Sequence, residues 1–283
     1  MSAPPVDRSS SVKPTGTRST TKRSAGWVPN QHGAWAMLIA PYAVGLVITA
    51  IDGRFDIADI TLFGLWFVGY LAFFATSLWL KSRRRPRYLP PVRAYVSAAA
   101  VLGVITLALQ PAIISWLLPF APILLIGLYF AYRRDDRSIP SGLATVAAAS
   151  LMPAVVYADG LFDFIDGVSS PPYDLIALVC AASFGYFFGT VLYVKTMIRE
   201  RGSVGYVVAS VLWHLACVAA AGIWVSGWLG WALAAYFAAM TARALAMPMM
   251  WPMRGRQLAP GRLGIVELIA TLALATILIC TAL

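Results

Sequence analysis

Nine apolar runs follow one another along the chain, at 33–51, 58–80, 94–110, 113–132, 141–158, 174–194, 204–226, 228–250 and 263–282. Crossing hydrocarbon as a helix takes roughly 20 residues, which is the length of these runs. Hydrocarbon offers no partner to a backbone amide, so each run is expected to satisfy its own amides as a helix. The shallowest divisions are Gln110-Pro111, between the third and fourth runs, and Ser226-Gly227, between the seventh and eighth. The pattern therefore predicts an all-α membrane protein with nine transmembrane helices.

The polar positions between the runs sort by charge. Nine spans place the N-terminal tail and the loops around 81–93, 133–140, 195–203 and 251–262 on one side. That side holds 20 of the 22 Lys and Arg residues, the exceptions being Arg54 and Arg243. The opposite loops carry Asp52, Asp56, Asp59, Asp159, Asp163, Asp166 and Asp174. The positive-inside rule then predicts an inner-membrane protein with a cytoplasmic N-terminus and a periplasmic or extracellular C-terminus. Dropping one span would put basic loops on both sides.

Composition agrees with this reading. The chain is 12% charged and 60% hydrophobic, against about 25% charged residues in a soluble domain. The net charge of +10 follows mainly from topology, with anionic headgroups of the lipid bilayer as a natural partner. The basic residues are scattered over short loops without a recognition motif, so no nucleic acid is expected. Cys180, Cys217 and Cys280 fall inside runs with no paired Cys/His spacing, which suits core packing rather than a disulfide or a metal. Residues 1–28, rich in Ser, Thr, Pro and basic residues, lack the apolar core of a signal peptide and read as a disordered cytoplasmic tail. Residues 29–283 then form a single polytopic membrane domain.

Several polar side chains are candidates for chemistry. Gln31 and His32 open the first run, beside Trp35. Lys195 and Arg199 lie four apart and share a helix face; with Lys81 and an arginine from 83–87 they can hold an anion through charge-assisted hydrogen bonds. Basic loops are also what topology alone produces. Arg243 and Glu267 enter the eighth and ninth runs from the same side and are expected to pair, since a lone charge in lipid is costly. That pair serves either as a structural tie or as part of a site. His214 lies near mid-bilayer, either as a hydrogen-bonding strut or as a proton carrier. Asp135 and Asp136 in "YRRDDRSIP" read as a solvated loop cluster neutralised by Arg133, Arg134 and Arg137.

The strings "QHGAW", "RRRPRYLPPVRAY" and "FFGTVLYVKTMIRER" resemble landmarks of the YwiC-like family of bacterial integral membrane proteins, from about Pro29 to the C-terminus. The layout also resembles, more distantly, the UbiA-type intramembrane prenyltransferase bundle. In those enzymes the loops after helices two and six carry Asp-rich motifs of NDxxD and DxxxD type that bind Mg²⁺ and a prenyl diphosphate. Here the corresponding segments read "WLKSRRRPRY" and "YVKTMIRERG", with Glu200 the nearest carboxylate. A hard cation needs several oxygen ligands, so no metal or other cofactor is expected. The reading that results is a basic cavity facing the cytoplasm, lined by Gln31, His32, Lys81, Lys195, Arg199, Arg243 and Glu267, that binds an anionic small molecule or lipid. A proton-coupled transporter fits it. So do a metal-independent enzyme acting on a phosphorylated lipid and, without any ligand, a structural membrane partner.

Overall fold

The computed structural model describes residues 26–29, 32–253 and 260–283. Ten α-helices run α1 (His32–Ile51), α2 (Ile57–Lys81), α3 (Leu89–Leu109), α4 (Leu117–Tyr132), α5 (Ile139–Tyr157), α6 (Leu161–Gly167), α7 (Tyr173–Ile198), α8 (Val204–Trp224), α9 (Gly227–Met253) and α10 (Pro260–Ile279). Each expected run contains one long helix. Among the described residues eight helices are long and apolar enough to cross a membrane, and the apolar part of α10, Leu263–Ile279, is shorter than those. Its 17 residues sit at the lower end of the spanning range, roughly 17–25.

The two shallow divisions are real breaks. After Gln110 the chain winds through a 3-10 turn, Pro111–Trp116, before α4 begins. Between α8 and α9, Gly227 takes a φ of +71°, which turns the chain back on itself. The short helix α6, too brief to show a period in the sequence, lies at the acidic end and exposes Phe162 and Ile165. The expected tail falls outside the described residues up to residue 25; its last part is anchored, because the Trp27 carbonyl accepts from the Tyr95 hydroxyl at 2.8 Å.

Helices α1, α5 and α7 form the inner layer, and α10 packs on α1. The α1–α5 approach depends on Gly45, where a Cβ would come within 2.6 Å of the Pro153 Cα; small residues let membrane helices touch through their backbones. Helices α3, α4 and α8 lie outside, turning Val101, Val104, Leu118, Leu125, Leu212 and Trp224 outward, where hydrocarbon is the solvent that suits them.

At the acidic end, Asp56 and Asp59 form a capping box on α2. The Tyr157 hydroxyl donates to Asp52 at 2.7 Å and that of Tyr173 to Asp163 at 2.8 Å. Arg54, an exception to the charge sorting, lies over both tyrosine rings, at 4.9 and 5.9 Å. It fastens the α1–α2 loop to the end of α5 and the start of α7 rather than reporting topology.

The orientation of the termini is checked by reporter fusions. A fusion at Gly202 is expected to report the cytoplasm and one after Leu283 the opposite side; both reporting the same side would mean that α10 does not cross.

Candidate functional site

One stripe of α7 organises the polar interior. Tyr186, Thr190, Tyr193 and Met197 recur at helical spacing and turn toward α9 and α10. All but Thr190 are buried, in an otherwise apolar helix. Facing them, Glu267 on α10 is 7% exposed. Its Oε1 accepts from Arg243 Nη1 on α9 at 2.6 Å, the length of a charge-assisted bond. Its Oε2 accepts from Thr190 at 3.0 Å and lies 3.1 Å from the Tyr186 hydroxyl. That hydroxyl also reaches the Glu267 carbonyl and Thr271 Oγ1, so its single proton is shared among three acceptors. Tyr236 of α9 donates to the Ala270 carbonyl at 3.0 Å, tying α9 to α10 one turn further along.

The expected Arg243–Glu267 pair is therefore present, within a hydrogen-bond network that also takes in α7. Arg243 also lies over the Tyr193 ring at 4.4 Å. The pair is incomplete in one respect: Arg243 Nε and Nη2 and the Tyr193 hydroxyl are buried with no hydrogen-bond partner among the described residues. Unpaired donors on a charged group in a dry interior are expensive. The arrangement has room in its bonding for an anion or a water, and no group among the described residues fills it.

The remaining candidates lie elsewhere. Lys195 is two residues past Tyr193, which puts it on the opposite face of α7, and its Nζ donates to the Arg137 carbonyl at 2.8 Å. Lys81 pairs with Asp136 at 2.6 Å across the start of α5. Asp136 is thus an interhelical partner of Lys81, not a member of a cluster neutralised only by its neighbouring arginines. Arg199 follows the last turn of α7; burial and the nearby charge of Arg137 hold its guanidinium below the ordinary arginine value. Gln31 lies outside the described residues, and His32 begins α1 without a described side chain. Of the seven residues expected around one cavity, the described side chains thus fall into two groups, with Lys81, Lys195 and Arg199 behind α7 and Arg243 with Glu267 in front of it.

His214 is fully buried on α8. Its Nδ1 donates to the Ser210 carbonyl at 2.6 Å, which leaves Nε2 without a partner among the described residues. Nε2 faces α7 at Gly189, where an added Cβ would come within 2.6 Å of it. No carboxylate shares that contact, an environment that fits a strut between α7 and α8. What sequence reasoning missed was the tyrosine and threonine stripe of α7, although its spacing within an apolar run was visible.

Residues 28–157 match the family described as YwiC-like protein, a region that covers α1 to α5. The chain is 29% identical over 207 residues to an uncharacterized protein YwiC of Bacillus subtilis, covering 71% of this chain and 79% of that one. It is 27% identical over 192 residues to an uncharacterized protein of Haemophilus influenzae, covering 67% and 75% respectively. No solved structure matches it significantly.

Two sets of variants check this geometry by thermal unfolding in detergent. Arg243→Ala or Glu267→Ala strands a buried partner and is expected to cost about 3–5 kcal/mol. The double change Arg243→Met with Glu267→Leu is expected to recover much of that loss; harmless, additive single changes would mean that the two do not touch. Gly189→Ala drives a methyl into His214 and is expected to cost about 1–3 kcal/mol, and markedly less when combined with His214→Ala.

Proposed function

For this multi-pass membrane protein, which over residues 28–157 belongs to the YwiC-like family, we propose proton-coupled carriage of a small anion. The observation that carries the reading is the Arg243 guanidinium, inside the bundle with one N–H committed to Glu267 and two nitrogens without a partner among the described residues. A carboxylate or small oxyanion matches those donors in charge and in planar geometry. The basic end supplies the approach: Lys195, Arg137 and Arg199 gather there, and their repulsion falls when an anion arrives.

Charge balance gives the coupling. With Glu267 ionised the pair is neutral, and adding one anion would leave a net negative charge in a low-dielectric interior. Protonation of Glu267 as the anion binds keeps the site neutral, so one proton accompanies each anion. Thr190 and Tyr186 hold the carboxylate in place and continue to hydrogen-bond it in either protonation state. His214, neutral and packed on Gly189, stands aside from this step in the present reading.

A second reading, a metal-independent enzyme on a phosphorylated lipid, draws on an apolar cleft of about 580 Å³ between α5, α7 and α8. Ala147, Leu151, Phe184, Gly185, Trp213 and Trp224 line it, and an acyl or isoprenoid chain would fit such walls. Carriage is preferred because Arg243 and Glu267 lie on α9 and α10, neither of which lines that cleft.

The experiment is thermal stability of the purified protein with acetate, succinate, phosphate or sulfate at several pH values. At least one anion is expected to raise the unfolding midpoint, increasingly so toward low pH. Glu267→Gln should keep binding and lose the pH dependence. Arg243→Gln with Glu267→Gln, neutral and still hydrogen-bonding, should fold and respond to none. An unchanged anion response in that double variant would remove Arg243 from the site.

A further inference from the structure

The basic end holds a second group of cations, on helices that take no part in the site above. Helix α2 ends with the Arg84 N–H donating to the Trp79 carbonyl at 2.9 Å and that of Arg83 to Leu80 at 3.1 Å. Helix α4 ends in the same way, with Asp135 N–H on Phe130 at 2.8 Å and Arg134 N–H on Ala131 at 3.0 Å. Both are helix stops that ordinarily place glycine at the left-handed position. Here arginine occupies it, with φ of +60° at Arg83, +58° at Arg84 and +62° at Arg134. Among the described residues these are the three non-glycine positions with positive φ.

The same three arginines, with Leu80 and Tyr132, line one cleft of about 420 Å³. Strained backbone conformations persist where the surroundings hold them, and they gather at ligand sites. A helix stop alone would be served better by glycine, with its cation earlier in the last turn. No carboxylate lines the cleft. The nearest paired acid, Asp136, is held by Lys81, and among the described residues none of the three guanidiniums has a hydrogen-bond or ion-pair partner. Arg84 lies 5.8 Å from the centre of the Trp79 ring. Three converging guanidiniums repel one another, and an anion with several acceptor oxygens relieves that repulsion.

The position of the cleft selects the source of the anion. Tyr132 on its rim is 61% exposed and Tyr129, one turn earlier, 56%; such rings sit at headgroup level in a membrane protein. Basic pockets between helix ends at that level take the phosphate of anionic lipids. We propose that the cleft between the C-terminal ends of α2 and α4, lined by Arg83, Arg84 and Arg134, binds the phosphate of an anionic phospholipid headgroup. The site shares no helix with Arg243 and Glu267, and it stands or falls independently of anion carriage.

The test uses the full chain in micelles doped with phosphatidylglycerol or with phosphatidylcholine, read by unfolding midpoint and by lipid retained in native mass spectrometry. Phosphatidylglycerol is expected to raise the midpoint and to be retained in preference. Arg83→Gln, Arg84→Gln and Arg134→Gln combined should weaken that preference about tenfold or more, whereas Arg243→Gln with Glu267→Gln should keep it. Arg134→Gly guards against misfolding: glycine accepts the left-handed turn without strain, so its midpoint in phosphatidylcholine should match or exceed the parent's while its response to phosphatidylglycerol shrinks. An intact response in the triple variant or in Arg134→Gly would overturn the proposal. So would inorganic phosphate producing the same shift at equal concentration, since the ligand would then be free phosphate and not a lipid.

Discussion

Hydrocarbon forms no hydrogen bonds, so every polar group carried into the bundle has to be answered by another part of the protein. The arrangement of α7, α9 and α10 follows from that constraint. Glu267 is answered by Arg243, Thr190 and Tyr186, and Thr271 turns its hydroxyl back on the Glu267 carbonyl at 2.7 Å. Tyr236 ties α9 to α10 through a backbone carbonyl. Buried threonines elsewhere solve the same problem locally, as Thr49 does on Gly45 and Thr106 on Leu102. Among the described residues nine buried side-chain atoms have no partner, and three of them, Arg243 Nε and Nη2 and the Tyr193 hydroxyl, lie together at one spot.

Helix α7 divides the polar interior from the basic end by its two faces. The face with Tyr186, Thr190 and Tyr193 is occupied by α9 and α10, while Lys195 points away to the α4–α5 connection. An anion moving from one group to the other has to pass around the helix rather than along it. The electrostatic roles differ accordingly. Lys81, Lys195 and Arg199 are partly wet and act over a distance set by salt. Arg243 acts at contact range in a dry setting, where a single hydrogen bond decides whether charge is tolerated.

The helices were legible because apolar runs and charged loops carry the bilayer constraint directly, and among the described residues each run holds a helix, eight of them of spanning length. The Arg243–Glu267 pair was legible for the same reason, as two charges at matching depth have few other partners. The grouping of Lys81 and Lys195 with Arg243 was not, because loop position says nothing about which face of α7 a side chain takes. Asp136 was misassigned because five charged residues in "RRDDR" compete locally, and only the packing of α4 against α2 brings Lys81 to it. The three left-handed arginines left no trace either: a glycine at such a turn announces itself, and an arginine does not.

The pairing of Arg243 with a residue 24 positions later also has a meaning in time. Chains leave the ribosome at about 5–20 residues per second, so roughly 1–5 s separate the two halves of the pair. During that interval α9 is already made and its guanidinium has no carboxylate to meet. The first helix waits longer still, since its neighbour α10 is made only after all the helices between them. A nascent chain stalled before Glu267 would therefore carry in α9 a guanidinium without its carboxylate.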